Sequence, residues 1–264
     1  MSHLVIASSE ADAAAAASVQ QHHAEMAGAL AVATQRLLTA ASHGDAPAAV
    51  AARDELVAWC RTELVPHAAA EEEALYPAAR GRDAGRLLVD GMLAEHSLIK
   101  DLVEEVAAAQ DPVRAAAAGA ALRAVFDSHL AKENELVLPL LVGAPDVWVA
   151  ELLAGMHEVL GGEPVASVGA EEHAHGEHSC GCGEVDSPGY PELDARVVPH
   201  AIRHATIFGA LDAVRPGGGL VLVAPHDPLP MLAQLEQRSP GAFAVDYLER
   251  GPQAWRLRLV RRTA

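Results

Sequence analysis

The chain reads as two folded units of different class: an all-α up-down four-helix bundle, then a small α+β two-layer sandwich. Three observations carry that reading. Residues 1–160 are rich in Ala, Leu and Glu at helical spacing, interrupted by short turn signals. Within that stretch one motif occurs twice, as His67-x-x-x-Glu71 with Pro77 beyond and as His129-x-x-x-Glu133 with Pro139 beyond, both of the form H-x-x-x-E-x-E-x-x-x-P. After residue 191 the texture changes to short apolar runs such as Gly219-Leu220-Val221-Leu222-Val223, separated by Gly and Pro.

In order, the first helix is expected from Ala11 to about Ala41, where Ser42-His43-Gly44-Asp45-Ala46-Pro47 breaks it. A second helix follows from about Ala48 to Ala79, then the turn Arg80-Gly81-Arg82-Asp83 and a third helix from Ala84 to about Ala109. Asp111-Pro112 has the form of an N-cap with proline at the first helical position, opening a fourth helix that reaches Pro139. Short links between four helices predict antiparallel neighbours, and a fifth helix from about Asp146 to Val159 is expected to pack across them. Pro66, immediately before His67, removes a backbone donor inside the second helix, so a kink or a plain break is expected there.

Residues 161–191 are polar and rich in Gly, Glu and His, and they read as a flexible acidic linker between a first domain over 1–160 and a second over 192–264. In the second domain, Leu193 to Val198 reads as a strand, His200 to about Ala213 as a helix and Gly219 to Val223 as a buried strand. Pro230 to Gln237 then reads as a helix, and Phe243–Leu248 with Trp255–Val260 as a hairpin around Arg250-Gly251-Pro252. The order β-α-β-α-β-β is that of a two-layer sandwich.

Charge narrows the partners. Net charge is −17, with 23 acids against 10 bases in 1–160, 6 acids and no base in 161–191, and 7 acids against 9 arginines in 192–264. An acidic body repels phosphate backbones and anionic lipid, so neither nucleic acid nor membrane is an expected partner. No apolar run reaches the ~18 residues of a membrane span, and no basic segment precedes an apolar core at the N-terminus. Cys60 alone and Cys180 with Cys182 do not make a disulfide framework, and a cytoplasmic, reducing location is expected.

The repeated motif has a chemical meaning. Residues four apart on a helix stack about 6 Å apart along one face, so each His-Glu pair can grip one ion. Helix one adds His22-His23 and helix three adds His96, so every bundle helix brings an imidazole. The candidate ligand set is His23, His67, Glu71, His96, His129 and Glu133, nitrogen and oxygen donors without thiolate, which suits iron and, less well, manganese or zinc. His23 is preferred to His22 because Met26 and Leu30 follow it as Ile99 and Val103 follow His96; His22 stays open as the alternative. Glu73 and Glu135 repeat with the motif but point elsewhere, Tyr76 and Met26 are core filling or neighbours of the metals, and Cys60 reads as a buried inert thiol.

The pattern H…HxxxE…H…HxxxE over about 15–142 resembles a hemerythrin-like (HHE cation-binding) domain. The resemblance implies a non-haem di-iron centre, with His23 and His67 on one iron, His96 and His129 on the other, and Glu71 and Glu133 between them. Oxygen-carrying members have a further histidine four residues after the helix-three ligand, where this chain has Lys100, a poor ligand. The implied function is binding or redox sensing of dioxygen, nitric oxide or peroxide. The alternatives are an enzyme that reduces peroxide or nitric oxide, and an iron or copper handling protein; whether it is an enzyme stays open, and no protein partner is implied. In the linker, His173, His175, His178, Cys180 and Cys182 form a soft-ligand cluster suited to additional zinc or copper. The last domain resembles an uncharacterised bacterial family with a fold similar to TusA/SirA sulfur carriers, on Leu193-Asp194-Ala195-Arg196, Arg203 to Phe208, His226-Asp227-Pro228, and Gly251-Pro252 with Trp255. The carrier cysteine is absent from the turn Val197-Val198-Pro199-His200, which rules against persulfide transfer; His200, His204 and His226 are instead candidates for a second metal contact.

Overall fold

The computed structural model describes residues 9–159, 190–198 and 203–263. The His/Cys cluster at 173–182 and His200 lie outside the described residues.

Helix α1 runs Glu10–Ser42, a rod of about 50 Å. Its N-cap Ser9 accepts from the Asp12 amide, and the Asp12 carboxylate in turn accepts from the Ala150 amide at 3.0 Å, tying the start of α8 (Val149–Val159) to α1. Asp45 caps α2 (Ala46–Trp59) through the Ala48 amide, with Pro47 in the first turn. Asp111 caps α6 (Pro112–Lys132) through the Arg114 amide at 2.9 Å, with Pro112 at the first helical position, as the sequence leads one to expect.

The prolines neither break nor simply kink the second helical segment at Pro66. The chain passes from α2 through one π-helical turn, Cys60–Leu64, into α3 (Val65–Ala74), and the Val65 amide donates to the Cys60 carbonyl five residues back. The same device recurs at Glu133–Val137, where the Leu138 amide donates to the Glu133 carbonyl before α7 (Leu138–Val142) carries Pro139. A proline ring clashes with the carbonyl four residues earlier, and a wider turn just ahead of it moves that carbonyl aside while the rod continues. The interruption of this segment comes later, at Leu75, before α4 (Tyr76–Arg80) with Pro77. The third rod, α5, is Arg86–Ala108.

The bundle interior has three layers. Leu30, Leu37, Leu56, Leu64, Val103, Leu122 and Phe126 belong to one apolar cluster. Val19, Leu75, Met92, Val137 and Leu141 belong to a second. Between them every rod changes from apolar to polar and back: Val19, His23, Met26 on α1; Leu64, His67, Glu71, Leu75 from the first π turn through α3 to the break after it; Met92, His96, Ile99 on α5; Leu130, His129, Glu133, Val137 on α6 and its π turn. Among the described residues no helix is long and apolar enough to cross a membrane.

The second unit is a mixed four-stranded sheet in the order β1-β2-β4-β3, with β1 Glu192–Asp194, β2 Gly219–Ala224, β3 Phe243–Arg250 and β4 Trp255–Arg261. Strand β1 runs parallel to β2 through Leu193↔Leu222, and β4 is antiparallel to both β2 and β3. Helices α9 (Arg203–Asp212) and α10 (Leu229–Arg238) pack Phe208, Leu211, Met231 and Leu235 on Leu220, Leu222, Leu257 and Leu259. The element order is the one read from sequence, but β1 stops at Asp194 because Arg196 turns back to pair with it, its Nη2 at 2.7 Å from Oδ2.

The two units are in direct contact. Ala31 and Val32 of α1 belong to the core of the second unit. A Cβ placed on Gly28 would lie 2.2 Å from the Thr206 carbonyl oxygen, and one on Gly209 would lie 2.3 Å from that of Glu25. Helices α1 and α9 therefore cross backbone against backbone, which glycine alone permits. Glu55 holds the same side, with Arg36 at 2.9 Å and Arg215 at 2.6 Å.

Candidate metal centre

All six candidate residues, His23, His67, Glu71, His96, His129 and Glu133, are brought together in the middle layer, each at 3% exposure or less. Glu71 reaches both halves of the cluster: its Oε1 lies 3.1 Å from His23 Nε2 and 2.9 Å from His67 Nε2, and its Oε2 lies 3.5 Å from His96 Nε2. Glu133 Oε2 stands 3.7 Å from both His23 Nε2 and His129 Nε2. Two groups of donors have the spacing of metal ligands, His23 with His67 and Glu71, and Glu71 with His96 and His129. His22 stays outside, exposed, with its ring 5.0 Å from that of His67.

The protonation pattern argues for cations. His96 Nδ1 lies 2.9 Å from Glu72 Oε1, and His129 Nδ1 lies 3.1 Å from Glu95 Oε2. Those partners assign the tautomer: each Nδ1–H donates outward to a carboxylate, so each Nε2 turns a lone pair inward. Burial, reinforced by the neighbouring His96, pushes the His129 pKa down to about 4, so its ring is neutral at pH 7. Yet the two Nε2 atoms face each other at 2.9 Å. In that tautomer two lone pairs oppose each other at a distance that calls for a proton or a cation between or beside them. Both ring nitrogens of His67 and Glu133 Oε2 are buried without a hydrogen bond among the described residues, a rare condition that a bound cation relieves.

The carboxylates divide in character. Burial opposes ionisation of Glu71, but the neighbouring His67, then the close approach of His23, His67 and His96, outweigh it and hold the group well below the usual range. Glu133 goes the other way, raised well above it by burial and then by the charge of Glu71. A cation bound there would favour the ionised form of Glu133 and displace its proton.

Several contributors were not assigned a role from sequence. Tyr76, read as core filling or a neighbour, donates its hydroxyl to Glu133 Oε1 at 2.7 Å and stands 3.3 Å from His96 Nε2 and 3.4 Å from His129 Nε2. Glu72, Glu95 and Asn134 hold the outer nitrogens of His96, His129 and His23, the last at 2.9 Å from Asn134 Oδ1. Each adjoins a candidate ligand in sequence, a signal that needs the register between helices before it can be used. Lys100 donates to Glu72 at 3.1 Å. Lys132 does the same for Glu95. Cys60 is fully buried and burial pushes its thiol up to about 12, consistent with an inert group. Glu73 and Glu135 are exposed.

In the second unit the motif residues serve packing. Arg203 donates to the Val198 carbonyl at 2.9 Å, Tyr247 donates to Asp227 at 2.8 Å, and Gly251, at φ 52°, lies against the Trp255 indole. His204 and His226 are exposed, and among the described residues neither joins a group of donors spaced for a metal.

Two known families match the chain. Residues 15–141 match the hemerythrin HHE cation binding domain, and residues 192–261 match an uncharacterized conserved protein family, DUF2249. No curated protein and no solved structure matches it. The second match names a family alone and says nothing of a sulfur-carrier fold. Because the first spans all four rods that build the buried His/Glu layer, geometry and kinship agree: residues 15–141 are a hemerythrin HHE cation-binding domain, followed at 192–261 by a DUF2249 domain.

Proposed function

We propose that this chain is a cytoplasmic non-haem di-iron protein that binds or senses dioxygen or a related small ligand, nitric oxide or peroxide, and responds to redox state. His23 and His67 would hold one iron, His96 and His129 the other, with Glu71 and Glu133 between. The observation that carries the reading is the convergence of four buried imidazole Nε2 atoms and two buried carboxyl groups, with Glu133 Oε2 and His67 left without a hydrogen bond of good geometry among the described residues. Nitrogen and oxygen donors without thiolate suit iron. Iron there would supply electron exchange with the small ligand. The chain does the rest: the two apolar layers exclude bulk water, Glu71 spans both halves, and the Tyr76 hydroxyl, which donates to Glu133 Oε1 at 2.7 Å, has its oxygen 3.3–3.4 Å from the inner nitrogens of His96 and His129.

That hydroxyl supports a second reading, an enzyme that reduces peroxide or nitric oxide, since such reductions consume protons and Tyr76 holds one beside the site. Elemental analysis and an absorption spectrum before and after dithionite test the centre. Two irons per chain with a dithionite-sensitive band are expected, and both are expected to be lost when Glu71 and Glu133 are changed together to Ala. Retention of both irons in that double variant refutes the ligand assignment. A turnover assay separates the readings, because a binding or sensing protein consumes at most one equivalent.

A further inference from the structure

The imidazoles of the two halves are backed differently. His96 is backed by Glu72 at 2.9 Å and His129 by Glu95 at 3.1 Å, both carboxylates, each held in turn by a lysine, Lys100 or Lys132. On the other half His23 is backed by the neutral Asn134 amide at 2.9 Å, and His67 Nδ1 has no hydrogen-bond partner among the described residues. An imidazole whose outer N–H donates to a carboxylate takes on anionic character and becomes a stronger donor at its inner nitrogen. Losing such a backing group typically costs about 10–100-fold in metal affinity. The Tyr76 oxygen also lies on the His96–His129 side. On the other half, the exposed ring of His22 lies against His67, centroids 5.0 Å apart.

We propose that the two cation positions are unequal by construction: Glu72 and Glu95 make the His96–His129 position the tight one, filled first, and leave the His23–His67 position weak and exchangeable. Occupancy of the second position then follows the surrounding supply of divalent metal, and so does formation of the complete pair. The inference rests on the paired-metal reading above and assigns Glu72 and Glu95 as positioning residues.

The probe is Mn²⁺, added stepwise to the full-length metal-free chain under anaerobic conditions and followed by equilibrium binding and electron paramagnetic resonance. An isolated Mn²⁺ spectrum that grows to one equivalent and is replaced by that of a coupled pair at the second is expected, with stepwise constants at least ~100-fold apart. H67A is expected to keep the tight step and lose the weak one, and H129A to lose the tight step. E72Q/E95Q keeps acceptor oxygens and removes only charge at partly exposed positions, so it spares the core; it is expected to bring the two constants within ~10-fold. A coupled-pair spectrum from the first addition, equal constants, or an unchanged gap in E72Q/E95Q overturns the proposal. A wild-type centre that never takes a second ion overturns the paired-metal reading itself and this proposal with it.

Discussion

Replacing Tyr76 by Phe removes one oxygen and keeps the ring, which is 2% exposed and stacked on His96 with centroids 5.4 Å apart and planes 19° apart. The lost contact is the 2.7 Å hydrogen bond to Glu133 Oε1, whose companion Oε2 already lacks a hydrogen bond among the described residues. Y76F therefore leaves a buried carboxyl stripped of its O–H donor, a cost of about 1–3 kcal/mol. Residues 15–141 make a helical domain for which 1 kcal/mol is worth about 3–4 °C, so the midpoint of the metal-free protein should fall by about 3–12 °C. Differential scanning calorimetry of metal-free wild type and Y76F at pH 7 reads the shift, with circular dichroism confirming unchanged helix content. Iron-loaded Y76F should in addition absorb differently from wild type, since the hydroxyl faces the inner nitrogens of His96 and His129. An unchanged or raised midpoint in the metal-free variant would refute the claim that the hydroxyl serves the buried acid.

Three other perturbations probe separate levels of the molecule. In metal-free E133Q the stability gain has a definite sign: the folded-state pKa of Glu133 lies well above its unfolded value near 4.5, so ionisation on unfolding at neutral pH favours the unfolded chain. E133Q should therefore unfold at a higher temperature than wild type at pH 7, with the difference fading as pH falls to 4.5 and below; a pH-independent difference would be inconsistent. G28A places a methyl carbon 2.2 Å from a backbone oxygen of α9, which no side-chain rotation relieves. Protease digestion should then release the 192–261 unit faster while the helical unit still binds metal, and an unchanged digestion rate would show that the α1–α9 crossing is not tight. D111A removes the α6 cap and should cost about 0.5–2 kcal/mol in urea denaturation, without changing the ratio of metal to protein.

Elements whose signals are local were legible from sequence. The cap at Asp111, the helical rods, the hairpin of β3 and β4 and the order of elements in the second unit follow from capping chemistry, periodicity and turn residues, which act over a few positions. The repeated H-x-x-x-E spacing likewise placed each His above its Glu on one helix face before any packing was known. Pro66 was harder. Sequence shows the missing donor but not how a rod absorbs it, and the answer, a π turn one step ahead, depends on packing at both ends of the segment.

What the amino-acid sequence indicated by itself is a candidate donor set, the four rods that carry it and the class of the two units, because these depend on short-range spacing. Tertiary structure alone decided which groups stand behind the donors. Glu72, Glu95, Asn134 and Tyr76 approach His96, His129, His23 and Glu133 from other helices, and α9 lies on α1 at Gly28. Such contacts are set by the rotation and axial offset of one packed helix against another. A shift of one residue turns a side chain by about 100° and moves it 1.5 Å, enough to send each partner elsewhere, and no periodicity within a single helix records that choice.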